Sequence, residues 1–156
     1  MNTSFTFAII KPEIVAQQKA GAVIKQIEEN NFSIRALKMT TLSSEDITTF
    51  YAMHKDRPFF PELLAYMMSG PVIVLVLEAV DAVPSFRKLI GATNPQEAAP
   101  GTIRQLFGKS IDANAIHGSD ADEAAQTEIT FFFPDFFQEK GNNMHQTHTC
   151  TCCCNH

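Results

Sequence analysis

The chain has 156 residues, 45% of them hydrophobic and 19% charged, which suits one compact globular domain. A formal net charge of −5 gives no basis for nucleic-acid or membrane binding, and the longest apolar run, residues 71–77, is too short to cross a bilayer. The N-terminus lacks the basic and apolar regions of a secretory signal. All 4 cysteines lie within residues 150–154, a distribution that fits a reduced, cytoplasmic protein.

The N-terminal region predicts two strands with a helix between them. Residues 5–10, FTFAII, form the first strand, which ends before Pro12 because proline lacks an amide donor and disfavours helix in the preceding residue. The helix follows Gly21. Residues 32–42 alternate in polarity, which predicts a strand with one well-buried face.

Two helices and a strand follow. Ser43, with Asp46 three residues later, is the signature of a helix N-terminus, and we expect that helix to continue through Met53. Pro61 fits the first turn of the next helix. Residues 72–78, VIVLVLE, are apolar at consecutive positions, which predicts a strand covered on both faces.

The C-terminal half contains a long connection. A helix runs from Asp81 to Gly91, and residues 92–113 are rich in Pro, Gly, Asn and Thr, with one short helical turn over 103–107. A connection this long inside a compact domain is usually functional. A final short helix then leads into a last strand, ITFFF, over residues 129–133.

This order of elements predicts an α+β fold of the ferredoxin-like βαββαβ type, a four-stranded antiparallel sheet with added helices and a long loop insertion. Because helices cover only one face of such a sheet, the apolar run 72–77 indicates that another subunit covers part of the other face. We assign residues 1–140 to one domain and residues 141–156 to a Cys/His-rich tail. The tail is interpreted as a disordered extension or a sequence artefact, with binding of zinc or copper(I) as the alternative.

No phosphate-binding glycine loop of the GxxxxGKS or GxGxxG kind occurs, so a phosphate site would be built from side chains. Four side chains in or near the long connection are candidates: Lys11, Arg87, Thr93 and Arg104. Arginine binds phosphate oxygens through two parallel hydrogen bonds, and threonine adds a hydroxyl donor. The alternative is that these are ordinary solvated surface residues.

His117, in the segment NAIHGSD, is either a turn residue or a nucleophile. Imidazole is neutral and nucleophilic near pH 7, so it can attack phosphorus without a separate strong base. Gly118 would leave room for a bulky anion, and Ser119 and Glu128 could fix the tautomer of the ring. His54 is a weaker candidate, because a histidine at a helix end is favourable for electrostatic reasons alone.

Four segments together resemble the nucleoside diphosphate kinase family: IIKPE, YAMHKDRPFFPELLAYMMSGPV, GATNPQEAAPGTIRQLFG and NAIHGSD. The match extends from about residue 5 to residue 133 with consistent spacing. It implies an enzyme that moves the γ-phosphoryl group of a (deoxy)nucleoside triphosphate to a (deoxy)nucleoside diphosphate, in two ping-pong half-reactions through a phosphohistidine.

The resemblance also implies the roles of individual residues. His117 is the nucleophile, and Ser119 and Glu128 position its ring. The other matching residues contact the nucleotide: Lys11 and Asn114 at the ribose, Arg87 and Thr93 at the β-phosphate, Arg104 and Tyr51 near the γ-phosphate, and Phe59 and Leu63 against the base. Lys11 is also close to the transferred phosphate.

The same resemblance implies Mg²⁺, held mainly by the nucleotide phosphates rather than by a protein metal site, and a homo-oligomer, either tetramer or hexamer. The alternative reading, supported only by the tail, is a non-catalytic nucleotide-responsive or metal-binding interaction protein. Three departures from the family pattern are Glu13 in place of aspartate, Ala99 where lysine is common, and the pair Gln105-Leu106. None removes a residue matched to catalysis.

Overall fold

The structure is a computed structural model that describes residues 2–138. Those residues form four strands, seven α-helices and one 3-10 turn: β1 (Thr3–Ile10), α1 (Pro12–Ala16), α2 (Ala20–Glu29), β2 (Ser33–Thr40), α3 (Ser44–Phe50), the 3-10 turn (Ala52–His54), α4 (Phe60–Met67), β3 (Val72–Val80), α5 (Ala82–Ile90), α6 (Ile103–Phe107), β4 (Ile116–Gly118) and α7 (Asp122–Phe132). The expected tail, residues 141–156, and the expected domain end at residue 140 lie outside the described residues.

The sheet has the order β2-β3-β1-β4, and all its paired strands are antiparallel. The predicted ferredoxin-like α+β fold is therefore confirmed. Strand β1 lies between β3 and β4, and its last residues pair with the short β4, so that Ile9 is opposite His117. Among the described residues, no helix is both long enough and apolar enough to span a membrane.

Strand β3 is covered on both faces by helices of the same chain. Its residues 72–77 are all at most 6% exposed. Alternate side chains pack in a cluster with α2 and α5 on one face and with α3, α4 and α7 on the other. The expectation that another subunit covers one face of this strand is therefore wrong, because the added helices α3, α4 and α7 supply the second layer.

The predicted last strand, ITFFF, is wrong, because residues 129–132 continue helix α7. Ala125, Ile129 and Phe132 are its buried residues, and their spacing of four and three is the period of a helix face. The fourth strand of the sheet is instead β4, the segment that contains His117. A run rich in phenylalanine and β-branched residues favours a strand locally, but burial of one helical face decides the outcome.

Strand β2 lies at the edge of the sheet and is less buried than its alternating sequence predicts. Ile34 and Ala36 are half-buried, and the register shift between them places them on opposite faces, Ile34 in the cluster of Leu77 and Ala36 in that of Val76. Leu37 is 46% exposed and Met39 is 59% exposed. The predicted well-buried face is thus only partly covered.

The helix signature at Ser43 is confirmed, although the helix is shorter than expected. The Ser43 hydroxyl accepts a hydrogen bond from the Asp46 amide at 3.0 Å, and the Asp46 carboxylate accepts one from the Ser43 amide at 2.9 Å. Helix α3 ends at Phe50, and the chain tightens into the 3-10 turn over the next residues. This turn places Tyr51 and His54 beside β4.

Candidate active site

His117 lies at the middle of strand β4, where the pairing with β1 fixes its backbone. Its side chain is 22% exposed, so it is held by the protein yet open to a ligand. The ring borders two adjoining cavities, one of about 580 Å³ and one of about 490 Å³. The side chain can therefore react with a group bound in either of them.

A carboxylate and a hydroxyl fix the orientation of the His117 ring. Glu128, on α7, places Oε1 2.8 Å from Nε2 of His117, and the Ser119 hydroxyl donates to the same oxygen at 3.1 Å. The Ser119 hydroxyl also accepts the Phe7 amide at 3.2 Å, which ties it to β1. Because a carboxylate only accepts hydrogen bonds, Nε2 carries the hydrogen.

The consequence of this tautomer concerns Nδ1, the other ring nitrogen. In a neutral imidazole with a hydrogen on Nε2, the lone pair is on Nδ1. Within residues 2–138, no side chain or backbone group makes a hydrogen bond to Nδ1 of His117. Nδ1 is therefore the nitrogen free to act as a nucleophile.

Three aromatic rings surround the imidazole. Phe50 meets it edge to face with ring centroids 5.1 Å apart, and Tyr51 does so at 6.3 Å. The ring of Phe7, on β1, is tilted relative to the imidazole, with ring centroids 6.4 Å apart. Phe50 was not among the predicted site residues, and no local signal identifies it, because only the fold places the end of α3 beside β4.

Lys11 and Asn114 form a buried pair at the end of β1. The Lys11 ammonium donates to Oδ1 of Asn114 at 2.6 Å, and the Asn114 amide donates to the Thr93 carbonyl at 3.0 Å. Burial and the neighbouring charge of Arg104 lower the pKa of Lys11 to about 8. The carboxylates of Glu13 and Asp112 oppose that decrease.

The turn between Asn114 and Ile116 is strained. Ala115 has φ of +76°, and the Ile116 amide donates to the Asn114 carbonyl at 3.0 Å, the features of the rare γ-turn with positive φ. A residue other than glycine in this region costs about 1–3 kcal/mol. Two contacts hold the turn: the Ala115 amide donates to Oε1 of Glu13 at 3.2 Å, and its carbonyl accepts the Lys11 amide at 2.9 Å.

Arg104 joins helix α6 to two other segments of the site. Its guanidinium donates to the Gly91 carbonyl at 3.0 Å and to the Ile116 carbonyl at 2.9 Å. Burial, with the positive charge of Arg87 as the next cause, lowers the pKa of Arg104 to about 10. Gly91 has φ of +88°, and a Cβ there would lie 2.5 Å from the Thr102 hydroxyl, so this hinge between α5 and the loop requires glycine.

Among the described residues, no carboxylate forms an ion pair with the lysine or arginine side chains of the site. Within residues 2–138, the Lys or Arg ion pairs to carboxylates are Lys25–Glu29 and Arg35–Glu78, both outside the site. Arg87 is exposed at the end of α5, and its charge lowers the pKa of Arg104. Arginine and lysine side chains at a cavity wall that are not held in ion pairs can bind an anion such as phosphate.

The two cavities bring together all the predicted site residues except Ser119, which lies beneath them. The first cavity is lined by Arg87 and Glu128, the second by Lys11, Phe59, Leu63 and Asn114, and both by Tyr51, Thr93, Arg104 and His117. His54 also borders both, with its ring 5.7 Å from that of Phe59. The site therefore combines an apolar end with a cationic centre.

Two further residues, Tyr51 and Gly118, add to or correct what the sequence predicts. Burial raises the pKa of the Tyr51 hydroxyl, and the Glu128 carboxylate adds to that effect, so the phenol stays a hydrogen-bond donor. We expected Gly118 to leave room for an anion. A Cβ at Gly118 would instead lie 2.9 Å from Ile90 and 3.0 Å from Phe86, so the glycine allows β4 to pack on α5.

In the part of the chain that the structure describes, no group of three or more His, Cys, Asp or Glu side chains could hold a metal ion. The lining of the two cavities includes a lysine, two arginines, hydroxyls and an amide, which suit an anion. It also includes the carboxylates of Asp112, Asp120, Glu123 and Glu128.

Comparison with known proteins gives one consistent result. The family model described as nucleoside diphosphate kinase matches residues 4–137. A nucleoside diphosphate kinase of Thiobacillus denitrificans is 53% identical over 129 residues, covering 83% of this chain and 91% of that protein. One of Campylobacter concisus is 56% identical over 128 residues, covering 82% of this chain and 93% of that protein.

Solved structures agree with the sequence matches. The nucleoside diphosphate kinase of Aquifex aeolicus has a TM-score of 0.82 and 41% identity, covering 85% of this chain and 96% of its own. A halophilic nucleoside diphosphate kinase from Halobacterium salinarum, solved in complex with CDP, has a TM-score of 0.83 and 38% identity. That match covers 86% of this chain and 90% of the halophilic one.

Proposed function

The chain belongs to the nucleoside diphosphate kinase family and is an enzyme of that activity, and we propose that it transfers the phosphoryl group by way of His117. The observation that carries the proposal is the bond from His117 Nε2 to Glu128 at 2.8 Å, which leaves Nδ1 as the free nucleophile. This atom lies on a side chain that borders both cavities.

The first half-reaction begins when Nδ1 of His117 attacks the γ-phosphorus of a nucleoside triphosphate. A nitrogen–phosphorus bond forms as the bond from phosphorus to the bridging oxygen breaks, and the diphosphate leaves with the electron pair. The ring gains positive character, which the Glu128 carboxylate stabilises through the Nε2 hydrogen. In the second half-reaction a terminal oxygen of another diphosphate attacks the phosphohistidine and restores the neutral ring.

The cationic centre of the site would bind the phosphates. Arg87 and Thr93 would contact the β-phosphate, while Arg104 and the Tyr51 hydroxyl would lie near the γ-phosphate. Phosphoryl transfer depends mainly on alignment and on neutralising charge, which these fixed donors supply. The two carbonyl contacts of Arg104 support this role, because they hold its guanidinium rigidly before a ligand arrives.

The apolar end of the second cavity would bind the nucleoside. Phe59 and Leu63 would hold the base, Phe59 by stacking, and an aromatic face accepts any base without reading its edge. Lys11 and Asn114 would contact the ribose hydroxyls. Their 2.6 Å hydrogen bond supports a shared role, since it orders both side chains at the same wall of the cavity.

We include Mg²⁺ in the proposal as an ion that accompanies the nucleotide. Magnesium is bound in such sites through substrate phosphates and water, with few protein ligands, and it neutralises part of the phosphate charge when bound. Arg87, Thr93 and Arg104 would then orient the phosphates around it.

The proposal extends to partners and location. Nucleoside di- and triphosphates are the expected ligands, as the CDP complex of the halophilic relative supports. We expect a homo-oligomer, tetramer or hexamer, and the exposed Leu37 and Met39 of edge strand β2 support an interface of some kind. A cytoplasmic location is supported by the lack of cysteine before residue 150. Light scattering at known concentration measures the oligomeric state.

The phosphoenzyme assay tests the proposed mechanism. Incubation with γ-labelled ATP and magnesium should place one label per chain, stable in base and labile in acid, as expected for phosphohistidine. His117→Ala should abolish the label, while His54→Ala, a histidine in the same cavities, should retain it. Absence of label on the wild type, or full label on His117→Ala, contradicts the proposal. A non-catalytic interaction protein is not favoured, since the family match spans residues 4–137.

A further inference from the structure

Glu13 is connected to the candidate site by its side chain, although it borders neither cavity. It follows Pro12 in the first turn of α1. Its Oε1 accepts the Ala115 amide at 3.2 Å, 102 residues away in the chain. Its Oε2 is buried and accepts no hydrogen bond from residues 2–138.

The contact falls at the most strained point of the catalytic segment. Ala115 is the positive-φ residue between Asn114, which binds Lys11, and the strand that holds His117. A turn of this kind persists only when its surroundings determine it. Within the described residues, Glu13 is the one side chain that accepts a hydrogen bond from the Ala115 amide, the central amide of the turn.

The carboxylate of Glu13 also acts on Lys11. The charged groups that face the lysine are Arg104 from α6, Glu13 from α1 and Asp112 from the long connection, and the Tyr66 ring of α4 lies 5.8 Å from its ammonium. Burial and Arg104 lower the pKa of Lys11. Glu13 and Asp112 raise it, and the effect of Glu13 is the larger of these two. Removing the charge of Glu13 should therefore make Lys11 lose its proton at a lower pH.

We propose that Glu13 is a positioning residue of this enzyme, one that holds the strained turn at Ala115 and so fixes Asn114 and His117 for phosphoryl transfer. The proposal rests on the proposed function of His117. It gives a role to the glutamate at the position where the family usually has aspartate. Its longer side chain spans the gap from α1 to the Ala115 amide.

A mutant cycle tests the hold on the turn. The full-length variants are Glu13→Ala, Ala115→Gly and the double variant, and the readout is the single-turnover rate of phosphohistidine formation from ATP and magnesium. Glu13→Ala should lower this rate about 10- to 100-fold, as expected when a reacting group is misplaced by a fraction of an ångström or more. In the Ala115→Gly background the same change should cost at least about tenfold less, because glycine adopts positive φ without support.

Glu62→Ala is the matched control. Glu62 also follows a proline in the first turn of a helix, α4, but it is exposed. Its removal tests the general effect of losing an acidic residue near a helix N-terminus. An equal rate loss in Glu13→Ala and Glu62→Ala, or an equal loss in both Ala115 backgrounds, overturns the proposal.

Glu13→Gln provides a readout that a purely structural role would not change. The amide oxygen can still accept the Ala115 hydrogen bond, so the rate near pH 7 should stay within about threefold of the wild type. The alkaline limb of kcat/KM should shift to lower pH, because Lys11 has lost an opposing negative charge. An unchanged limb contradicts the action of the Glu13 charge on Lys11, and this measurement remains possible if Glu13→Ala does not fold.

The two proposals fail in different ways. If the wild type forms no phosphohistidine, the role of His117 is wrong. The hold on the turn is then read from urea unfolding, where the loss caused by Glu13→Ala should be smaller in the Ala115→Gly background. If His117 is labelled but the mutant cycle shows no coupling, the inference about Glu13 alone is wrong.

Discussion

The carboxylate of Glu128 lies 2.8 Å from Nε2 of His117 and 3.1 Å from the hydroxyl of Ser119. These two contacts join helix α7 to the segment of strand β4. Since the carboxylate takes the hydrogen of Nε2, it determines which ring nitrogen can react. The proposed mechanism therefore depends on a residue that lies eleven positions after the proposed nucleophile, on a different element.

Glu128→Gln should lower the rate of both half-reactions about 10- to 100-fold, the usual cost of losing the partner that orients a functional imidazole. The KM for nucleotide should change little, because the carboxylate faces the ring and not the phosphates. Quenched-flow measurement of phosphoenzyme formation checks this. Glu123→Gln is the control, since Glu123 is on α7 and borders the same cavity without contacting His117; an equal loss there contradicts the assignment.

The pH dependence of kcat/KM should show an alkaline limb near pH 8. Lys11 acts as a cation, and its pKa of about 8 means that the free enzyme loses this charge above that pH. Nucleotide capture should then weaken as pH rises. Tyr51 does not contribute in this range, because burial raises its pKa. A profile that stays flat to about pH 9.5 contradicts this prediction.

Arg104→Lys should reduce kcat/KM about 10- to 100-fold, since charge-assisted hydrogen bonds contribute roughly 1.5–3 kcal/mol each. A lysine has one ammonium and cannot bond the Gly91 and Ile116 carbonyls in the geometry of the guanidinium. Arg87→Lys should cost less, because Arg87 is exposed and keeps its charge near the phosphates. Steady-state kinetics with ATP and a second diphosphate measure both, and a larger loss for Arg87→Lys reverses the expected order.

Gly118→Ala should destabilise the protein by about 1–3 kcal/mol, the usual cost of overpacking. The added methyl would lie 2.9 Å from Ile90 and 3.0 Å from the rigid ring of Phe86. Gly21→Ala is the opposite control, since a Cβ on α2 meets nothing within 4 Å and should stabilise by about 0.5–1 kcal/mol. Urea unfolding of both variants checks the signs, and a stabilising Gly118→Ala contradicts the packing role.

Truncation after Glu139 should leave exchange between ATP and a second diphosphate intact. Every residue placed in the site lies within residues 2–138, and the family match ends at residue 137. The steady-state activities of the truncated and intact chains are compared at the same protein concentration, with the cysteines of the intact chain kept reduced. A loss of more than about threefold, roughly 0.6 kcal/mol, would show that the segment contributes to activity.

Much of this architecture is readable from the sequence. The continuous apolar run of β3, the capping pair Ser43 and Asp46, and Pro61 at the first turn of α4 each follow from local chemistry, and the structure confirms them. The spacing of the HGSD segment and the long connection likewise indicated the family. These features are local, since each depends on a side chain and its neighbours within one turn or strand.

The errors share a physical cause, because each depended on what packs against a segment. Residues 129–132 continue a helix because Ile129 and Phe132 are buried on one face of α7, and β3 needs no second subunit because the added helices cover it. Leu37 and Met39 are exposed because β2 is the sheet edge. The local sequence pattern of a segment does not predict which distant segments pack against it.

The sequence by itself determined which reactive and charged groups the chain contains, because imidazole, guanidinium and ammonium groups have fixed chemical properties. The tertiary structure decided which atom of each is available. Nδ1 of His117 is free because α7 brings Glu128 to Nε2, and the turn at Ala115 gains its side-chain contact because α1 brings Glu13 to its amide. Such contacts join residues far apart in the chain, and their geometry exists only once the sheet has formed.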